Sequence, residues 1–355
     1  RNVSRFISYH LLDGLAPLPS KLYININSKC NMKCKMCDYG QRRKTNFSLN
    51  LGLNIENELD AHTWGVFIDE LKSFKPTIAI TGTEPLLFPN LIEFIEKCKR
   101  NRLKIEITTN GYLLPEYARD LVKMKIDKIC ISIDGPEAIH NNIRGTKDAF
   151  AKAKEGILKI LESRQYKKPT ISINYTISSM NYYCLEETLL DLGGIYDSFI
   201  FSHLNFITKE MADKHNKLEN ICPVTSSTIS DLIDPKKVDI SILNDQIKKV
   251  KKKYSNVYFN PDLDKSQLSV YYHNPTLFID GFDRCYIPWL TGQILANGDF
   301  VISTRCFRII FGNITKQKFK EIWNAESLVN FRKKIKKIGA FPACARCCGI
   351  FSSII

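Results

Sequence analysis

The stretch that decides the fold runs from Leu22 to Cys37 and reads Leu-Tyr-Ile-Asn-Ile-Asn-Ser-Lys-Cys-Asn-Met-Lys-Cys-Lys-Met-Cys. Its first six residues, Leu22 to Asn27, carry the β-branched and aromatic types of a strand, and a loop with three cysteines follows at once. Outward from this point, short β-branched runs alternate with longer amphipathic stretches as far as about Leu204. That alternation predicts βα units and a parallel sheet. Strands are expected at Leu22 to Asn27, Thr77 to Thr81, Lys104 to Thr108, Lys128 to Ile133, Thr170 to Thr176 and Ser198 to His203. Helices are expected at Thr63 to Phe74, Asn90 to Arg100, Glu116 to Met124, Ala149 to Glu162 and Cys184 to Leu192, each with apolar residues at three-and-four spacing. Six strands with helices between them make most of a barrel.

Between about Asn205 and Asn274 the alternation breaks down and Pro223, Pro235 and Pro261 punctuate a polar composition. This segment reads as a linker or insertion with one helix near Leu243 to Tyr254. After Pro275 come short strand-like runs, a helix at Phe319 to Ile335 and a cysteine-rich end. The chain is therefore divided into an N-terminal extension (1–20), a barrel (21–205), a linker or insertion (206–275) and a small C-terminal module (276–355). No internal repeat or low-complexity tract interrupts it.

A chain of 355 residues, 44% of them apolar, can bury a sizeable core. Its longest apolar stretches, Ile129 to Ile133 and Gly349 to Ile355, fall far short of the roughly 20 residues that span a bilayer, so no transmembrane helix is expected. The residues from Arg1 to Phe6 lack an apolar core with a cleavage site, and a cytoplasmic location is expected. Twelve cysteines in that setting read as reduced thiols or metal ligands. Cys98, Cys130, Cys184 and Cys222 stand alone, as buried structural thiols do. The charge is +14, with dense basic runs at Lys248 to Lys253 and Arg332 to Lys337. Solvated helix faces account for such runs more simply than an acidic partner does, although a phosphorylated sugar, lipid head group, nucleic acid or acidic peptide would be attracted to them.

Cys30, Cys34 and Cys37 are spaced C-x3-C-x2-C. A structural zinc site takes four ligands, usually in paired C-x2-C knuckles. Three thiolates in one compact loop suit an iron-sulfur cluster with one iron left open for chemistry. Placed after the first strand of a βα series, this spacing resembles the signature of the radical S-adenosylmethionine (SAM) superfamily. The resemblance implies a [4Fe-4S] cluster whose open iron is chelated by the amino and carboxylate groups of SAM. The residue before the last cysteine, commonly aromatic in that family, is Met36 here, a soft apolar substitute that would cover the cluster.

Further segments at the ends of expected strands resemble the family's SAM-binding elements. Thr81-Gly82-Thr83-Glu84-Pro85 is similar to its GGEP motif, with Thr83 in place of the second glycine. The resemblance assigns Gly82, Thr83 and Glu84 to the SAM ammonium group. Thr108-Thr109-Asn110-Gly111 resembles the TNG segment beside the ribose, which implicates Thr109 and Asn110. Ser132-Ile133-Asp134-Gly135, followed by His140 to Gly145, resembles the SxDG and H-x3-R-G elements of peptide- and sugar-modifying members. There Ser132, Asp134 and Arg144 would serve SAM, with Ser132 and Arg144 on its carboxylate, Arg144 through two parallel bonds. Turn formation is the bland reading of the glycine motifs, and a surface salt bridge that of Arg144.

Near the C-terminal end, Cys285, Gly298, Cys306, Gly312, Trp323, Cys344 and Cys347 follow one another in an order that resembles the SPASM/twitch auxiliary domain of radical SAM enzymes. The resemblance implies a second [4Fe-4S] cluster held by Cys285, Cys306, Cys344 and Cys347, with Cys348 able to replace Cys347; structural zinc is the alternative. The whole is expected to be an α/β chain, a partial (β/α)6 TIM-like barrel followed by a small α+β twitch/SPASM-like domain. Its expected activity is reductive cleavage of SAM to a 5′-deoxyadenosyl radical that abstracts hydrogen from a substrate, with a flavodoxin- or ferredoxin-type electron donor. Oxidation of a sugar, aminocyclitol or other small molecule, acidic ones included, is preferred because no leader-binding segment precedes Leu22. A peptide-modifying maturase is one alternative. A radical epimerase with Cys184 or Cys222 as thiol donor is another. The alternative of another class is a non-catalytic metal-binding protein with a nucleic-acid partner, which is disfavoured.

Overall fold

The computed structural model describes residues 9–53, 57–218, 223–303 and 307–352. Cys222 and Cys306 lie outside the described residues. Ten strands form one sheet: β1 (Lys21–Ile24), β2 (Thr77–Ile80), β3 (Ile105–Thr109), β4 (Lys128–Ser132), β5 (Thr170–Ile177), β6 (Ser198–His203), β7 (Val257–Asn260), β8 (Thr291–Ile294), β9 (Asp299–Val301) and β10 (Gly312–Asn313). Their order is β10-β9-β8-β1-β2-β3-β4-β5-β6-β7. From β8 through β7 every pairing is parallel, and β9 and β10 add an antiparallel edge.

The strands form where isoleucines cluster. Ile24, Ile80, Ile107, Ile131 and Ile173 are fully buried, as expected for a parallel sheet covered on both faces. The connecting helices Ala61–Leu71, Leu91–Arg100, Leu114–Lys123, Ala149–Ser163 and Leu185–Leu192 supply the cover. Asp60 starts the first of them by accepting from the Thr63 amide at 2.7 Å. At Gly111 (φ +81°) the backbone lies so close to the helix Ala149–Ser163 that a Cβ would stand 2.7 Å from Cβ of Ala153. Glycine is required there by both conformation and space.

Two expectations change. Residues 206–275 are not a plain linker: they contribute the helices Lys209–Leu218, Ile240–Lys253 and Lys265–His273 and the strand β7, which extends the parallel sheet beside β6. Four residues between a lysine-rich helix and Pro261 are too few for periodicity to reveal a strand. Nor does the C-terminal segment stand apart, because β8 pairs in parallel with β1 in the register Lys21↔Thr291 to Ile24↔Ile294. The start of the described chain is clasped by that segment: Trp323 Nε1 donates to the Pro17 carbonyl at 2.8 Å and Arg332 Nη1 to that of Gly14 at 3.1 Å.

Candidate active site

The loop after β1 is held above the ends of the parallel strands by backbone bonds. The Cys37 amide donates to the Cys34 carbonyl at 3.1 Å, and the Lys35 amide to the Ile143 carbonyl at 2.9 Å. The second bond docks the loop on the C-terminal end of the helix Glu137–Arg144, which ends in left-handed Gly145 (φ +68°). A Cβ on Gly145 would lie 3.0 Å from the Lys33 carbonyl oxygen. The glycine of the H-x3-R-G element thus lets the helix end meet the cysteine loop. Cys34, Met32 and Ala149 form a small apolar cluster with Cys30, Cys37 and Tyr112 packed on it. Met32 and Tyr112 therefore sit beside the thiols, whereas Met36, expected there, packs against the main core.

Burial pushes the Cys30 thiol up to about 12 and that of Cys34 to about 11, the latter against the opposing charge of Arg144. A ligand that demands thiolates must overcome that preference, as a multiply charged metal group does. Among the described residues, no three His, Cys, Asp or Glu side chains converge closely enough to chelate one metal ion. Three thiols in one short loop, packed around the same small apolar cluster, are a donor set of the kind that suits an iron-sulfur cluster.

The strand ends around this loop are woven together by polar side chains. Glu84, buried, accepts from Thr109 Oγ1 (2.7 Å) and the Leu86 amide (3.0 Å) on Oε1, and from the Asn110 amide (2.7 Å) on Oε2. A carboxylate offers about four acceptor positions, so one remains on Oε2. Burial raises its pKa, and its hydrogen bonds and Arg144 act in opposition. Thr83 Oγ1 donates to the carbonyl (2.7 Å) and Oδ1 (2.8 Å) of Asn27, fixing the approach to Cys30. Thr83 needs no left-handed backbone, whereas Gly82 has φ +109° and abuts the Asn25 side chain. The departure from two glycines is therefore accommodated. Asn110 Nδ2 reaches Oδ1 of Asn31, between the first two cysteines, at 2.8 Å.

Arg144 is buried, and its guanidinium faces three ways. Nη2 lies 2.5 Å from Oδ2 of Asp134 as a close ion pair rather than an aligned hydrogen bond, and Nη1 donates to Cys34 Sγ at 3.8 Å. Nε is buried without an acceptor among the described residues. Asp134 is fixed in turn, since its Oδ1 accepts from the Thr176 amide at 2.8 Å and its own amide donates to His140 Nδ1 at 3.0 Å. The bland reading of Arg144 as a surface salt bridge is thereby replaced by a buried pair. Ser132 ends β4, half-buried.

Models of known families match two parts of this chain: the radical SAM superfamily over residues 24–192, and an iron-sulfur cluster-binding domain, SPASM, over residues 285–348. The chain carries a radical SAM domain followed by a SPASM domain. Its two matched domains imply [4Fe-4S] clusters and SAM as cofactors. Fe-coproporphyrin III synthase of Methanosarcina barkeri is 29% identical over 196 residues, which cover 55% of this chain and 44% of that protein. The tungsten-containing aldehyde ferredoxin oxidoreductase cofactor-modifying protein of Pyrococcus furiosus is 22% identical over 348 residues, 92% of this chain and 86% of that one. The chain thus spans less than half of the first relative and most of the second. Among solved structures, Streptococcus suis SuiB superposes with a TM-score of 0.65 at 16% identity, over 98% of this chain and 76% of that one. SuiB bound to SAM gives 0.63 at 17% identity, over 94% and 72%. These structures share the fold.

The C-terminal cysteines border a shared cavity. Cys285, Cys344, Cys347 and Cys348 line one cavity of about 340 Å³ that reaches Tyr23 of β1 and Gly82 of the strand-end turn. Cys348, the alternative to Cys347, lines the cavity too, and Cys306, expected as a ligand, is outside the described residues. Arg346, between Cys344 and Cys347, donates to the carbonyls of Tyr271 (2.7 Å), Val270 (2.6 Å) and Asn274 (3.1 Å) around the end of the helix Lys265–His273, and to those of Leu277 (2.9 Å) and Ala345 (2.7 Å). Asp38, beside Cys37, likewise ties Arg43 (3.1 Å), Thr45 (3.1 Å) and Ser227 (2.8 Å) together. Neither residue was singled out from the sequence, because the partners that define their roles come from remote segments. Cys184, the expected thiol donor, is buried with its Sγ 3.3 Å from the Asn181 carbonyl, and burial pushes its thiol up to about 11. Among the described residues, no helix is long and apolar enough to cross a membrane.

Proposed function

We propose that this chain binds SAM between Glu84 and Arg144, beside a [4Fe-4S] cluster on Cys30, Cys34 and Cys37, and uses it to abstract hydrogen from a small-molecule substrate that leaves oxidised. The observation that carries this reading is a complementary pair of vacant bonding positions. Glu84 keeps one acceptor position and Arg144 one buried N–H, and their charges are close enough to act on each other and on the thiols. An amino-acid zwitterion, ammonium at one end and carboxylate at the other, satisfies both. Nε is the guanidinium nitrogen of Arg144 with no partner among the described residues, while Nη1 and Nη2 each face one neighbour, Cys34 and Asp134.

When bound, the cluster supplies the electron that splits SAM into methionine and a 5′-deoxyadenosyl radical. The chain's own residues orient and insulate that event. Met32 and Tyr112 give the thiols an apolar cover. Thr109 and Asn110 hold Glu84, while Asn110 also grips the cysteine loop through Asn31. Gly82 lets the turn close over Asn25. Ser132 ends its strand at the same rim, a polar group for the carboxylate end. Cys285, Cys344 and Cys347, with Cys306 or Cys348, would hold the second cluster, which would supply an electron acceptor for the oxidation. A low-potential donor of the flavodoxin or ferredoxin type supplies the first electron, and the chain's charge of +14 favours the approach of an acidic one.

Changing Cys30, Cys34 and Cys37 together to alanine should abolish 5′-deoxyadenosine formation from SAM with dithionite. Persistence of that product would remove the loop from the site. Product analysis then tests the finer claim: a modified peptide, or a carbon inverted with solvent hydrogen and no net oxidation, would each overturn the assignment to small-molecule oxidation.

A further inference from the structure

We propose that Arg144, clamped by Asp134, donates a hydrogen bond to the Cys34 sulfur and thereby sets the reduction potential of the cluster at Cys30, Cys34 and Cys37. This inference rests on the reading of that loop as the cluster's ligand set. The Nη1–Sγ distance of 3.8 Å is within reach of a long N–H···S bond, and both residues are buried, where a charged donor acts strongly. Most of the guanidinium's freedom is removed by its neighbours. Nη2 is held 2.5 Å from Asp134, whose carboxylate is tied to the Thr176 amide of β5. Asn181 Nδ2 binds the Asp134 carbonyl at 2.9 Å, and His140 receives the Asp134 amide. Asp134 is a positioning residue: it turns the positive edge of the pair toward the sulfur.

The sign follows from charge. An added electron increases negative charge on the cluster and its sulfurs, so a fixed donor stabilises the reduced form more than the oxidised one. Hydrogen bonds to sulfur are among the recognised determinants of such potentials. The electron itself comes from an external one-electron reductant, and no bond to Arg144 breaks.

The test is an anaerobic redox titration of the full-length, iron-loaded protein followed by electron paramagnetic resonance, comparing wild type with Arg144→Met and Arg144→Lys. Two transitions are expected in wild type. Arg144→Met should move the one whose signal SAM perturbs in wild type to more negative potential, by at least tenfold in the reduction equilibrium, about 59 mV for one electron, and leave the other in place. The iron–thiolate stretching bands should shift with it. Arg144→Lys, which keeps the charge on a different geometry, should move the transition less and in the same direction. It decides the matter if the methionine variant loses iron. Full iron content with neither transition moved overturns the proposal, as does an equal shift of both. A wild-type protein in which SAM perturbs no signal defeats the underlying cluster assignment instead.

Discussion

The two sets of thiols in this molecule are held by different means. Cys30, Cys34 and Cys37 fall within a span of eight positions, and their loop is fastened by its own backbone and by side chains at neighbouring strand ends. Cys285 is separated from Cys344 and Cys347 by the edge strands β9 and β10 and the helix Glu326–Ile338, and its amide is tied to the Gly339 carbonyl at 3.1 Å. The first set needs the sheet beneath it to be formed. The second needs several remote segments to converge, with Arg346 as the clamp. A compact loop can keep its ligands when the rest is perturbed, whereas a dispersed set depends on tertiary packing and fails with it.

The largest effect that would sharpen this contrast comes from removing the second set alone. Cys344→Ala with Cys347→Ala should roughly halve the bound iron and sulfide while SAM cleavage stays measurable, and oxidised product should vanish. Undiminished product from a folded variant, or stoichiometric zinc in the wild-type protein, would break the assignment. A smaller effect is expected at Glu84. Glu84→Ala leaves the buried donors of Thr109, Leu86 and Asn110 without their acceptor, each worth about 1–3 kcal/mol if unsatisfied. Denaturant unfolding of the metal-free protein should show a loss on the order of 3 kcal/mol after partial relaxation, and Glu84→Gln a smaller one. No loss would mean that the network around the first loop does little for folding.

Asp38 offers a subtler test. Asp38→Asn keeps the size but weakens the ties to Arg43 and Ser227 by about 1–2 kcal/mol. It should speed iron release from the first site to a chelator and spare the second, measured by the two magnetic resonance signals. Equal release from both sites would contradict the independence of the two regions.

How far the sequence reveals this arrangement depends on how local the cause is. The six expected strands of the barrel coincide with β1 to β6 within a few residues, because each is a short run of β-branched or aromatic residues with buried apolar side chains. The first thiol loop is legible for the same reason, all of its ligands falling after one strand. β7 is not, since four residues carry little periodicity, and neither is the pairing of β8 with β1 across 270 positions. Glu84 and Arg144 are visible as motif members, but their hydrogen-bond partners are not. Asp38 is bound to Ser227, 189 residues away, a relation that no spacing rule contains.

The smallest expected effect concerns acid and the link between the two regions. His203 ends β6, is buried, and packs with its ring centroid 5.2 Å from that of Tyr271 at a tilt of 43°; the Tyr271 carbonyl accepts from Arg346, beside the second thiol set. Its Nδ1 shares a hydrogen bond of 2.7 Å with the Tyr272 hydroxyl. Burial pulls its pKa down to about 3 from the ordinary 6.5, so the folded chain keeps it neutral. Between those values the unfolded chain binds a proton that the folded chain refuses, and stability must fall as pH falls through that window. From pH 7 to 5.5 the loss attributable to this one group is on the order of 1 kcal/mol, from an unfolded pKa near 6.5. His203→Gln should flatten the stability profile of the metal-free protein by that amount over that range. In the iron-loaded wild type, mild acid should release the second cluster before the first, because His203 packs against the segment that clamps Arg346 and not against the Cys30–Cys37 loop. An unchanged slope in His203→Gln, or loss of the first cluster ahead of the second, would remove His203 from the connection between them.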